Sequence, residues 1–115
     1  MKKVALLAFR GAPMGFVHVL PNGLDMREKG FDVAIILEGA ATKAAAELPE
    51  EGSAFQDLYV QVPQSGLIDC VCRACSAKMG VPQSIEKQTL PWGTDMKGHP
   101  SLATYIEEGY EIISF

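Results

Sequence analysis

Apolar residues are grouped along the chain into four short runs, each long enough for a strand but too short for a helix. Runs without polar alternation are typical of strands that are covered on both faces, as in a parallel sheet. The predicted strands are residues 2–9, 32–37, 67–71 and 111–115. A weaker pattern within residues 88–98 allows a short fifth strand.

The segments between these runs have helical spacing or helix-ending glycines. The predicted helices are residues 40–48, residues 72–79 ending at Gly80, a turn opened by Pro82, and a last helix with Pro100 in its first turn. That last helix should turn Leu102, Tyr105 and Ile106 inward and stop at Gly109. Residues 54–63 fit a strand or a helix, and we favour a helix that ends at Gly66.

Residues 14–30 combine helical spacing with a proline and a turn signal at Pro21-Asn22-Gly23. A proline inside a helix removes a hydrogen bond and costs about 3 kcal/mol or more. We therefore expect a helix that is kinked near Pro21 or that starts there.

Strands that alternate with helices of this length predict an α/β fold, with helices on both faces of a mostly parallel sheet of about five strands. The length of 115 residues suits a single domain covering residues 1–115. We find no internal repeat or linker in the chain.

Charge and hydropathy exclude two classes of partner. The net charge is −4 and the basic residues are scattered, so we expect no nucleic-acid partner. The apolar run 4–9 is shorter than the core of a signal peptide, and nothing approaches the roughly 20 apolar residues of a membrane span. We expect a cytoplasmic protein without a membrane partner.

The carboxyl ends of parallel strands share one edge of the sheet, which is where ligands bind in open α/β sheets. Three predicted strands end at Arg10, at Glu38 and at Cys72, so these residues are candidates for a site at this rim. Glu38 could hold a cation or a polar ligand there. His18 follows the first strand closely and could act as an acid or base at the same rim.

Cys72 and Cys75 form a C-x-x-C motif where the third strand meets a helix. Residues three apart share a helix face, and the first turn presents free N–H groups and partial positive charge to a thiolate. Such surroundings lower the pKa of a thiol and favour its reaction. Arg73 and Lys78 add positive charge nearby.

Three interpretations of the cysteines remain open. Cys72 could be a nucleophile or sulfur carrier with Cys75 as its resolving thiol; both could bind a metal together with a histidine, His18 being the candidate; or they could be core residues. We favour chemistry for this pair and a core role for Cys70. His99 precedes the last helix as a further site candidate, or simply caps it.

The segment 72–81 resembles the cysteine motif of DsrE/TusD-type sulfur-relay proteins, and Cys72 matches their sulfur-accepting cysteine by its distance to Gly80. The resemblance extends over nearly the whole chain. It implies a three-layer α/β/α fold, a cytoplasmic homo-oligomer (trimer or hexamer), and transfer of sulfane sulfur, as a Cys72 persulfide, between donor and acceptor proteins. No cofactor would be required.

Two features differ from the sulfur-transfer members. Those members usually carry Arg-Arg or similar where this chain has Lys78-Met79, and the chain adds Cys70 and Cys75. It therefore looks closer to the uncharacterised DsrE-like branch. The alternative function is a non-catalytic oligomeric module that binds a metal or small ligand at the rim. For sulfur transfer, the Cys72 sulfur should be reachable by solvent or by a neighbouring subunit.

Overall fold

A computed structural model describes residues 1–12, 16, 18–47 and 66–115 of the chain. Its strands are β1 (Lys3–Ala8), β2 (Asp32–Leu37), β3 (Ile68–Cys72), β4 (Trp92–Gly93) and β5 (Glu111–Ser114). Its helices are α1 (Val19–Glu28), α2 (Ala41–Glu47), α3 (Arg73–Met79), α4 (Pro82–Lys87) and α5 (Leu102–Glu107). These bounds agree closely with the predicted strands, including the short one within residues 88–98.

The five strands form one sheet in the order β4-β3-β2-β1-β5, and every pairing among them is parallel. The chain steps outward from β1 to β4 and then returns to place β5 against the free side of β1. All five carboxyl ends therefore lie at one edge of the sheet. The segments that follow β2, β3 and β4 are neighbours at this edge.

Helices cover both faces of the sheet, which confirms the predicted α/β architecture. One face packs against α1, α2 and α4 through a cluster of fully buried residues: Leu6, Val19, Leu20, Ile35, Leu37, Ala45, Val71 and Ile85. The other face packs against α5 through a smaller cluster that contains Ala5, Ala34, Ile36, Cys70 and Tyr105. Successive residues of β1 and β2 alternate between the two clusters, as the two-residue period of a strand requires.

Helix α1 has His18 as its N-cap, and Pro21 lies in its first turn, as one of the two predictions required. A proline in that turn breaks no intrahelical hydrogen bond. Gly23 is buried where the helix crosses β2, and a Cβ there would be 3.1 Å from Ile35 Cδ1. The glycine in the turn signal thus permits close packing of a helix on the sheet.

Two details of the last helix were predicted wrongly. Pro100 precedes the helix, and its N-cap is Ser101, whose hydroxyl oxygen accepts a hydrogen bond from the Thr104 N–H at 3.4 Å. Tyr105 is buried as expected, but Ile106 is 61% exposed, because only one face of this two-turn helix contacts the sheet. The helix predicted over residues 54–63 lies outside the described residues. No helix within the described residues is long enough and apolar enough to cross a bilayer.

Candidate functional site

Cys72 is both the last residue of β3 and the N-cap of α3. Its backbone is extended (ψ 115°), and its Sγ accepts a hydrogen bond from the Cys75 N–H at 3.4 Å. The buried Ser76 hydroxyl donates to the Cys72 carbonyl at 2.9 Å. The C-x-x-C motif therefore builds its own helix start, with sulfur in the capping role that oxygen usually fills.

His99 is the third member of the site, reached by the turn that follows β4. Its Nδ1 lies 3.1 Å from Cys72 Sγ. The turn is closed by two backbone hydrogen bonds between Met96 and His99, and the Gly98 carbonyl accepts the Ala74 N–H at 2.9 Å. The turn is thus fixed to the first turn of α3, and this contact brings the imidazole to the cysteine.

The side chains of Cys72, Cys75 and His99, called the rim cluster below, meet at the carboxyl edge of the sheet. Cys72 Sγ, Cys75 Sγ and a ring nitrogen of His99 all lie within 4.8 Å of one another. Two thiols and an imidazole at this spacing can exchange a proton, form and break sulfur–sulfur bonds, or bind a soft metal ion.

The two cysteines differ in exposure. Cys72 has no exposed surface, whereas Cys75 is partly exposed. Solvent therefore does not reach the Cys72 sulfur, because the turn bearing Gly98 and His99 lies against it, while access by a neighbouring subunit stays a prediction. Of the two thiols, Cys75 is the one that a reagent or another protein can contact directly.

Burial also controls the ionisation of Cys72. Loss of water raises the pKa of the Cys72 thiol to about 12, and the negative charge of Glu38 acts in the same direction. The Cys75 N–H at the helix start lowers that pKa, as expected, but by less. The prediction that the helix start makes Cys72 a ready thiolate is thus wrong, since a helix of two turns cannot offset the loss of solvent.

Glu38 follows β2 and lies at the same edge, as the sequence predicted. It is half-buried, and burial raises the pKa of its carboxyl group while the nearby charge of His99 opposes that rise. The charge of Glu38 thus acts on both His99 and Cys72 of the rim cluster.

The other predicted site residues are not part of the rim cluster. Arg10 is exposed beside a cavity of about 340 Å³ that is lined by Leu7, Phe9, Ser114 and Phe115. Lys78 is exposed in the last turn of α3, at the opposite end of that helix from Cys72. His18 is exposed at the start of α1, so the structure brings His99 to the cysteines in place of His18.

Cys70 is only 7% exposed and belongs to the core cluster that packs against α5, which confirms its core role. Its Sγ lies 3.3 Å from the Tyr105 hydroxyl, which in turn donates a hydrogen bond to the Asp69 carboxylate. Burial raises the pKa of the Cys70 thiol to about 11. The third cysteine therefore has partners of its own and does not belong to the rim cluster.

The pairing of His99 with the cysteines is what the sequence analysis missed, since it gave His99 as a general site candidate or a helix cap and His18 as the histidine for a metal. Ser101 supplies that cap. The signal that could have identified His99 is β4, because a residue shortly after a parallel strand belongs to the rim. Trp92–Gly93 is too short to show any periodicity.

Comparisons with known proteins agree with this architecture. The family model described as the DsrE/DsrF-like family matches residues 22–115. An uncharacterised protein of Methanocaldococcus jannaschii is 35% identical over 97 residues, which cover 84% of this chain and 77% of that protein. A protein of unknown function from Bacteroides thetaiotaomicron shares the fold, with a TM-score of 0.71 and 20% identity over 99% of this chain and 95% of that one. With strands, rim and cysteine motif in place, the chain belongs to the DsrE/DsrF-like family.

Proposed function

We propose that this protein carries sulfane sulfur as a persulfide on the Cys72–Cys75 pair and passes it to a thiol of a partner protein. The observation that carries this proposal is the rim cluster, in which His99 Nδ1 lies 3.1 Å from one of two neighbouring free thiols. Family membership supports it, because DsrE-family proteins act in sulfur relay.

Cys75 is the thiol that meets the donor, because it is partly exposed while Cys72 is covered. The Cys75 thiolate attacks the outer sulfur of a donor persulfide. A sulfur–sulfur bond forms on Cys75, the bond within the donor breaks, and the donor leaves as a thiolate. The reaction exchanges one persulfide for another and needs no external oxidant or reductant.

Cys72 then takes the sulfur from Cys75. Neutral His99 accepts the Cys72 thiol proton at Nδ1, which offsets the raised pKa of that buried thiol. The Cys72 thiolate attacks the outer sulfur, the bond on Cys75 breaks, and Cys75 leaves as a thiolate. The Cys75 N–H and the new imidazolium both donate toward the Cys72 sulfur. The same exchange in reverse returns the sulfur to Cys75, where a partner thiol removes it.

Mass spectrometry of protein treated with polysulfide tests the proposal. The protein is first freed of metal and reduced, and persulfides are then trapped with iodoacetamide. Trypsin cleaves after Arg73 and Lys78, so Cys75 lies on a different peptide from Cys70 and Cys72. We expect native protein to gain one sulfur, Cys72→Ser to gain it on Cys75 alone, and Cys75→Ser to load much more slowly.

Cys70→Ser is the matched control, because this third cysteine is a core residue that contacts Tyr105 and lies outside the rim cluster, so it should not affect loading. If Cys75→Ser loads like the native chain while Cys72→Ser does not, Cys72 is the direct acceptor and the assignment of roles is wrong. If no variant gains sulfur under conditions that load a free thiol, the sulfur-carrier function itself fails.

The proposal also covers the location of the protein in the cell and its assembly. We place the protein in the cytoplasm, because its three cysteines are free thiols and a reducing compartment keeps them so. We also propose a homo-oligomer, trimer or hexamer, in line with a family whose members often oligomerise. Phe9 and Ile113, 53% and 41% exposed near the edge strand β5, are the apolar surface that such assembly would cover. Light scattering on the native chain measures the subunit number.

A further inference from the structure

We propose that the rim cluster is also a zinc site, with Cys72 Sγ, Cys75 Sγ and His99 Nδ1 as ligands and a fourth position left open. This inference goes beyond the proposed function and does not depend on it. Two thiolates and one imidazole are a ligand set used by zinc enzymes that keep one coordination position for water or substrate.

The geometry is close to that which a tetrahedral ion needs. Bond lengths of about 2.3 Å to sulfur and 2.0–2.1 Å to nitrogen place sulfur and nitrogen ligands about 3.5 Å apart, and two sulfurs about 3.8 Å apart. In the structure Cys72 Sγ and His99 Nδ1 are 3.1 Å apart, and the two Sγ atoms and a ring nitrogen of His99 lie within 4.8 Å of one another. Shifts of no more than about 1.3 Å in any of these separations would therefore form the site.

The surroundings also suit a zinc ion. The two ligands from the C-x-x-C pair are fixed by the first turn of α3, and the third is fixed by the turn that binds Ala74 through the Gly98 carbonyl. Zinc would displace the thiol protons and neutralise the two thiolates, so that a buried sulfur could stay ionised. The fourth position would open on the side of the partly exposed Cys75.

Zinc and sulfane sulfur would compete for the same atoms. A zinc-bound thiolate has its lone pairs engaged and attacks a persulfide poorly, so zinc would hold the carrier in an unloaded form. The competition follows from shared ligands alone, since Cys72 and Cys75 serve both roles.

The test uses the full chain, reduced and freed of metal, titrated with Zn²⁺ against a chromophoric chelator and separately with Co²⁺. We expect one equivalent of Zn²⁺ per chain, and a Co²⁺ spectrum with thiolate-to-metal charge transfer and intense tetrahedral bands. His99→Ala should weaken Zn²⁺ binding by more than the roughly 10- to 100-fold that loss of an outer-shell partner costs. His18→Ala and Cys70→Ser, which remove the other histidine and the other thiol, should change nothing.

A second measurement needs no variant at the site. Stoichiometric Zn²⁺ should protect Cys75 of the native chain from iodoacetamide, and a chelator should restore its reactivity. The proposal is overturned if Zn²⁺ neither binds nor protects Cys75, or if His99→Ala, shown to be folded by circular dichroism, binds Zn²⁺ as tightly as His18→Ala. Neither result bears on the sulfur-carrier function, because persulfide loading is measured separately on the metal-free protein.

Discussion

Cys72 illustrates how the surroundings of a residue change the chemistry that its position suggests. Its place between β3 and α3 provides the hydrogen bond from the Cys75 N–H that a sulfur anion needs. Its complete burial nevertheless raises the pKa of the thiol to about 12. His99 and the exposed Cys75 are therefore as necessary to the proposed chemistry as Cys72 itself.

The difference in exposure predicts an order of alkylation. In native protein near neutral pH, iodoacetamide should modify Cys75 first, because Cys70 and Cys72 are buried and hold their protons. Peptide mapping after cleavage at Arg73 separates the two groups of thiols. All three should react at similar rates in urea, and faster native modification of Cys72 than of Cys75 would contradict the structure.

Tyr105 allows a test of the core contact around Cys70. Tyr105→Phe removes a hydroxyl that contacts Cys70 Sγ and donates to the Asp69 carboxylate, and Asp69 stays exposed to water. We expect a loss of about 1–2 kcal/mol in the free energy of unfolding, measured in urea. Persulfide loading should stay at the native level, and a loss of loading in this folded variant would show that the Cys70–Tyr105 contact affects the rim cluster.

At the scale of elements, the site depends on the turn after β4 as much as on the C-x-x-C helix. Gly98 has a φ of +93°, which favours glycine, and a Cβ at this position would be 3.2 Å from Ala74 Cβ. The glycine lets the turn lie directly on α3, and this contact places His99 over Cys72.

Gly98→Ala should therefore push the turn away from α3 and expose the Cys72 thiol. We expect a cost of about 1–2 kcal/mol from the left-handed backbone, and iodoacetamide modification of Cys72 in the native state. Gly30→Ala is the control, because Gly30 has a similar φ of +88° but nothing within 4 Å of the added Cβ. It should cost comparable stability and leave Cys72 protected. Equal protection in both variants would mean that the turn does not shield the thiol.

At the scale of the whole molecule, the buried acids make stability depend on pH. Burial raises the pKa of Cys70 to about 11, that of Cys72 to about 12, and that of Tyr105 still further. Ordinary cysteines ionise near pH 8.5 to 9, so between that value and the raised pKa the folded chain binds more protons than the unfolded chain. The folded state thus loses stability as the pH rises through this window.

We expect the free energy of unfolding, measured in urea, to fall steadily from about pH 9 toward pH 11. Between pH 7 and 8 these three groups stay largely protonated in both states and should contribute little pH dependence. Cys70→Ala should reduce the slope, because it removes one of the buried acids. A slope that is unchanged in this variant, or stability that rises with pH, would show that the thiols ionise freely in the folded state.

Much of the architecture follows from the sequence because its signals are local. Short, mainly apolar runs predict the four longer strands, glycines follow the ends of α1 and α3, and the C-x-x-C motif forms its own helix start at Cys72. These features depend on neighbours within a few residues, so pattern and spacing suffice to find them. The family resemblance and the position of Cys72 at the rim follow from the same signals.

The partner of the cysteines is decided only by tertiary structure. The sequence pointed to His18 as the histidine ligand, because β4, which carries the chain toward His99, has only two residues and gives little local signal. The burial of Cys72 likewise arises from a turn 26 residues away in the chain, through Gly98. Contacts between distant segments, which no local periodicity records, thus determine which histidine meets the thiols and which thiol remains open to a partner.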